Sequence, residues 1–234
     1  LVAQGAAAIA IAPVDSAGIA PAVNDAMGAG IPVIAIDTGV AGAEVTSFVA
    51  TDNYAVAKVQ GAVAATQIED GQPIIYVTGN QAQSTGQERK NGFMEAFSAA
   101  RPNSEILLVP TEWNSQEAQE GVEAILNSRQ DIVMVANAWD GGTMGAKAAL
   151  ENLGFGAGDV KLVGFDGAGD AIAAMDEGWV HVDTAQMLYQ MGYQGIKAAA
   201  AAARGEDVSP RIDTGFFLVT PSTSGVYKAM VGIE

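Results

Sequence analysis

Parallel-sheet α/β architecture follows from three features of this chain. Short runs rich in Ile, Val and Leu recur along it, each continuous rather than alternating in hydrophobicity, as strands covered on both faces require. Longer segments with helical spacing separate the runs. Strand and helix then take turns at a pitch that suits βαβ units.

The elements read in order as follows. Leu1–Gly5 has the form of the last turn of a helix with a glycine stop. Ala7–Ala12 is the first strand, 17–29 a helix, and Pro32–Ile36 the second strand. Phe48–Asn53 is a short strand that runs into the polar turn Thr51-Asp52-Asn53 and a helix over 54–69. Strands at Ile74–Val77, Ile106–Val109, Ile132–Ala136 and Leu162–Phe165 alternate with helices over 86–100, 115–128, 142–153 and 168–177. His181–Gln186 is a strand ending in polar residues. It feeds a helix over 187–204 that contains the alanine run Ala198–Ala203 and stops at Arg204-Gly205. A Pro- and Asp-containing stretch then leads to a β-rich tail, Ile212–Thr220. The alternation breaks in three places: at 48–53, at 181–186 and after Gly205.

Composition narrows the function. The 234 residues suffice for one large domain or two lobes, and the 49% apolar fraction is that of a chain with a packed core. Eleven basic against 27 acidic side chains give a net charge of −16, which argues against a nucleic-acid partner. The absence of cysteine removes disulfides, thiol catalysis and cysteine-type zinc sites. No apolar run has the length of a membrane-spanning helix, so direct membrane insertion is not expected. No metal or cofactor is expected either. Leu1 is not an initiator methionine, and the chain opens in what reads as mid-helix; a fragment is expected.

Catalytic templates fit poorly. His181 is the only histidine and lies in a strand, where a structural role fits better than a general base. Neither a G-x-S-x-G elbow nor a phosphate-binding loop occurs, and Gly164-Phe165-Asp166-Gly167-Ala168-Gly169 lacks the dinucleotide spacing. Polar and aromatic residues instead gather at the C-terminal ends of the strands, the edge where open α/β sheets hold ligands. Asp37, Trp113, Asn137, Trp139, Asp166 and Gln186 follow or end successive strands, and Arg89 stands near the start of the helix after Ile74–Val77. Each alone has an ordinary structural explanation: a helix cap for Asp37 or Asp166, core packing for an indole, turn bonding for Asn137 or Gln186, a solvated helix residue for Arg89. Together they match a polyol. Carboxylates accept from vicinal hydroxyls, a guanidinium donates to two oxygens, and an indole covers the C–H face of a sugar ring.

The ordered stretches Ile9–Ser16, Ala29–Asp37, Val49–Asn53, Arg89–Phe93, Val163–Gly167 and Thr184–Gln186 resemble the ribose-binding-protein family, periplasmic solute-binding proteins of ABC sugar importers. The resemblance implies two doubly wound parallel-sheet lobes joined by a three-segment hinge, with sugar held between them. The first lobe would comprise 1–50 plus 187–213, lacking its first β-α-β-α unit, and the second 51–186 plus 214–234. Without that unit the strand Ala7–Ala12 would present an apolar edge. The same resemblance implies that Arg89 and Asp166 grip ring hydroxyls, Asp37 binds from the opposite lobe, Trp113 stacks and Gln186 binds close to a hinge. It also implies an ABC importer permease as partner and a periplasmic, or lipid-anchored extracytoplasmic, location. Ala12 replaces the asparagine usual in ribose binders, Ser115 replaces an arginine, and Trp139 takes an asparagine slot for which Asn137 could compensate. These departures imply a different or bulkier sugar, or a polyol, rather than ribose. The alternatives are the effector domain of a LacI-type transcription regulator, whose DNA-binding part would lie upstream, and a sensory receptor ectodomain.

Overall fold

The computed structural model describes residues Leu1–Ile233, which fold into two compact units. The first contains Leu1–Asn53, Gln81–Gln87 and Met187–Gly215, and the second Tyr54–Asn80, Glu88–Gln186 and Phe216 onward. The segment Gln81–Gln87, expected in the second lobe, packs with the first unit instead. Ser84 N donates to Ser16 Oγ (2.9 Å), Gly39 N to Ser84 Oγ (2.9 Å) and Gln83 Nε2 to Pro13 O (2.8 Å).

The first unit carries a four-stranded parallel sheet. Its strands are β1 (Ile9–Ile11), β2 (Val33–Ile36), β3 (Ser47–Ala50) and β9 (Arg211–Asp213), in the order β1-β2-β3-β9. Alternate residues of β2 serve opposite faces, as the two-residue strand period dictates. Val33 packs with Ile9 and with Val23 and Ala26 of helix α1 (Ala20–Gly28), whereas Ile34 packs with Val49 and with Ala198 of α7 (Leu188–Ala203). Gly195 lets α7 settle onto β2, because a methyl there would overlap Ile36. Asp15 delays the start of α1 from the expected 17 to 20: its Oδ1 accepts from Ala17 N (2.9 Å) and Gly18 N (2.8 Å), closing a turn. Among the described residues β1 pairs only with β2 and is an edge strand. Val2–Gln4 form one 3-10 turn closed by Gly5 at φ 68°.

The second unit carries a six-stranded sheet. Its strands are β4 (Ile74–Val77), β5 (Ile106–Val109), β6 (Met134–Asn137), β7 (Lys161–Asp166), β8 (Val180–Gln186) and β10 (Phe216–Val219), in the order β10-β8-β7-β6-β4-β5. All pairs are parallel except β8 with β10. The strand order reverses at β4, where β5 lies on one side and β6 on the other, and this creates a switch point in a doubly wound sheet. Helix α2 (Asn53–Thr66) packs on α3 (Ser84–Ala100) through Gly61 and Gly92, where a methyl would meet Phe93 O at 2.6 Å or overlap Tyr54 O. Helix α4 (Ser115–Ser128), capped by Asn114, packs on α5 (Asp140–Asn152); α6 (Gly169–Asp176) and α8 (Ser224–Val231) complete the unit.

The β-rich tail 212–220 consists of two strands, β9 and β10, one in each sheet, with Thr214-Gly215 between them. The run Ile106–Val109 is apolar yet not covered on both faces, since β5 is an edge strand and Leu108 is 46% exposed. Helix α8 has no counterpart in the sequence reading, because its eight residues include two valines and give only two turns of periodicity.

Candidate functional site

In the second unit the C-terminal strand ends converge around Asp166, on both sides of the β4/β6 switch point. Asp166 ends β7 with φ 118° and is followed by Gly167 at φ 77°. This backbone turns the carboxylate towards two donors: Arg89 Nη1 reaches Asp166 Oδ1 at 3.0 Å and Gln186 Nε2 reaches the same oxygen at 2.8 Å. Arg89 Nη1 also donates to Ala138 O at 2.8 Å, and the guanidinium lies 4.0 Å from the centre of the Phe165 ring. The arginine side chain is 4% exposed and the aspartate 25%, so the pair sits at the lip of the core. The guanidinium is thus fixed in position before any ligand arrives.

An aromatic wall adjoins this polar group. Trp113 and Trp139 meet edge to face, with ring centres 5.3 Å apart at 85°, and the Arg89 guanidinium lies 5.7 Å from the Trp113 ring. Small residues make room for both indoles. A methyl on Gly79, which follows β4, would overlap the Trp113 ring, and one on Gly142 would lie 2.7 Å from Trp139 Cζ3. Trp113 itself has φ 60°. Behind the wall, Gln60 of α2 donates from Nε2 to Asn137 O and to Gly164 O, both at 2.9 Å, tying the ends of β6 and β7 to one side chain.

Arg89, Trp113, Trp139, Asp166 and Gln186 therefore come together in the second unit. Asn137 does not join them. Its side chain is fully buried, and its amide donates to Val135 O (3.3 Å) and Val163 O (3.2 Å), so it anchors the strand ends from inside. Asp37 belongs to the first unit, at the end of β2, with φ 65° and its Oδ2 accepting from Thr38 Oγ1 (3.0 Å). Ser115 begins α4 as an exposed residue. His181 is half-buried in β8, and its Nδ1–H donates to Trp179 O (3.1 Å), a structural bond. Burial, with Lys161 nearby, holds the imidazole below its usual range.

Asp37, Trp113 and Asp166 are the three non-glycine residues with positive φ among the described residues. Such backbone costs about 1–3 kcal/mol per residue and persists where the surrounding structure imposes it, commonly at ligand sites. Sequence reading missed Gly79, Phe165 and Gln60, which shape the site from beneath. It also missed two buried acids, Asp140 and Asp183. Gly79 carried a signal, since a glycine directly after a strand marks close approach of another group.

Known proteins resemble this chain in sequence and in fold. A profile of the periplasmic binding protein domain matches residues 1–207. The ribose import binding protein of Escherichia coli is 30% identical over 219 residues, covering 94% of this chain and 73% of that protein. The D-allose-binding periplasmic protein of the same organism is 29% identical over 214 residues, covering 86% and 67%. Among solved structures, an ABC transporter solute-binding protein of Bacillus halodurans with bound myo-inositol superposes with a TM-score of 0.91 at 28% identity, covering 97% of this chain and 79% of that one. A solute-binding protein of Mycobacterium smegmatis with bound glycerol gives 0.88 at 30% identity, covering 96% and 78%.

Proposed function

We propose a specific role for this chain, which belongs to the periplasmic binding protein domain family: it binds a monosaccharide or cyclic polyol and delivers it to an ABC-type importer. The carrying observation is the group Arg89–Asp166–Gln186 beside the Trp113–Trp139 wall. Asp166 accepts from two vicinal hydroxyls, the guanidinium donates to ring or hydroxyl oxygens, and an indole covers a C–H face. No group in this set is an activated nucleophile, and the proposed role is binding without catalysis. Trp113 offers its partly exposed face to a sugar ring, and the buried Trp139 backs it edge to face. Asn137 is proposed as a supporting residue behind the site rather than as a ligand contact.

The proposal extends to Asp37 as a contact from the first unit, in line with its left-handed backbone. Differential affinity of the ligand for a closed form would then make the liganded protein the one a permease accepts. The relatives' names place them at the periplasm or in import, and the same location is proposed here. Calorimetric titration with D-ribose, D-allose, D-galactose, myo-inositol and glycerol tests the reading. Binding of one of them, abolished by Asp166→Ala and weakened by Asp37→Ala, supports it; no binding of any of them overturns it.

A further inference from the structure

Two carboxyl groups lie beneath the Asp166 loop with no cation paired to either among the described residues. Asp140 opens α5 directly after Trp139 and is 2% exposed; Asp183 is in mid-strand in β8 and fully buried. They converge under Gly164 of β7, the residue that pairs with Asp183 across the sheet. A methyl on Gly164 would lie 2.6 Å from Asp140 Oδ1 and would overlap Asp183 Oδ2, so the glycine is what leaves space for both acids.

The groups facing this pair come from every neighbouring element. From β7 comes Asp166, a third carboxylate. Arg89 of α3 approaches but directs Nη1 to Asp166 and Ala138 O. Tyr227 of α8 donates its hydroxyl to Gly167 O (3.0 Å), not to the acids. The start of α6 supplies the Ala168 N–H, which reaches Asp140 Oδ2 at 2.7 Å, while Asp170 is exposed and turned to Ala171 N. The Gly167 N–H faces Asp183, but neither Asp183 oxygen meets a well-aligned donor among the described residues. From β10 comes only the apolar Val219, and from α2 the neutral Gln60.

Two ionised carboxylates side by side in such a place would cost more free energy than retaining one proton between them. We propose that Asp140 and Asp183 share a single proton in the folded chain, and that this proton holds the Asp166–Gly167–Ala168 loop in its ligand-ready form. Burial, and then each acid's negative neighbours, push both carboxyls above the ordinary aspartate range. The shared proton bridges the two acids, and Asp140 Oδ2 accepts from Ala168 N whichever of them carries it. Asp140 thereby clamps the far end of a loop whose left-handed Asp166 presents the grip. Loss of the proton sets three negative charges around that clamp. The two acids are positioning residues, and the second half of the proposal rests on the ligand reading above.

Carboxyl carbon NMR of the ligand-free wild-type chain over pH 3–9 tests the first half. Surface aspartates complete their titration below about pH 5. One carboxyl of the pair, assigned with Asp183→Asn, is expected to titrate above pH 6. Both titrating in the ordinary range overturns proton sharing. The second half is read by titrating D-allose and myo-inositol over pH 5–9. Wild-type affinity is expected to fall at least fivefold towards alkaline pH, whereas Asp183→Asn, or Asp183→Thr if the amide does not fold, keeps a flat profile. Equal profiles overturn the link to Asp166. Absence of binding by both probes overturns the ligand reading and the second half with it, while the carboxyl titration still decides the first.

Discussion

Replacing Arg89 by methionine removes the charge and the hydrogen-bond fork while keeping most of the stem that lies on Phe165. Charge-assisted bonds are lost, among them those to Asp166 Oδ1 at 3.0 Å and to Ala138 O at 2.8 Å. Each is worth about 1.5–3 kcal/mol when its acceptor is left stranded. The discount is real: the Asp166 side chain is 25% exposed and keeps Gln186 as a donor, so water and the amide recover part of the loss. The net cost is about 2–3 kcal/mol, below the full penalty for breaking a wholly buried pair. All three tryptophans, Trp113, Trp139 and Trp179, lie in the second unit, so urea unfolding followed by tryptophan fluorescence reports that unit specifically. The midpoint should fall by about 1 M, taking a slope of about 2–3 kcal/mol per M. A cycle with Asp166→Asn should show coupling of about 1–2 kcal/mol between the two positions. An unchanged midpoint with zero coupling would refute the claim that this pair organises the strand ends.

Three further outcomes follow from the same geometry. Gly164→Ala drives a methyl against Asp140 and Asp183 and should destabilise the second unit by about 1–3 kcal/mol or more, read by the same urea experiment. Trp139→Ala empties a volume packed against Gly141, Gly142 and Trp113, and should cost about 3–5 kcal/mol by thermal or urea unfolding. His181 has an imidazole held below its usual range, so the native state binds fewer protons than the unfolded chain just below the ordinary histidine pKa. Its contribution to stability is therefore full above that pKa and is lost progressively as pH falls from it through the lowered folded value, and His181→Gln should lessen acid-side destabilisation relative to wild type in melting curves at pH 5 and 7.5.

Much of this architecture was legible because its signals are local. The runs Ile74–Val77 and Ile106–Val109 appear as strands over those same residues, and helix 115–128 matches α4 because Asn114 caps it. What escaped depends on the neighbours a residue acquires. Asp183 sits in a strand pattern where an acid reads as solvent-facing, yet the sheet places Gly164 beside it and β10 beyond it, and it is fully buried. Asn137 looks like a ligand group at a strand end, but the pleat turns it inward to Val135 O and Val163 O. The covered or open state of β5 was likewise not a property of its own residues, since only the strand order puts Leu108 at an edge. The residues that gather around Asp166 were identifiable by position, as strand-end groups around a switch point. The left-handed backbone at Asp37, Trp113 and Asp166 was not, because none of these residue types demands it.

The central claim is that Asp166, held by Arg89 and Gln186 beside two indoles, grips a sugar or cyclic polyol. Isothermal titration calorimetry of wild type and Asp166→Ala with D-allose and myo-inositol addresses it most directly. Wild type is expected to show saturable one-to-one binding of at least one of the two, with at least a hundredfold loss in the variant, which should still fold. Equal binding by wild type and variant would contradict it.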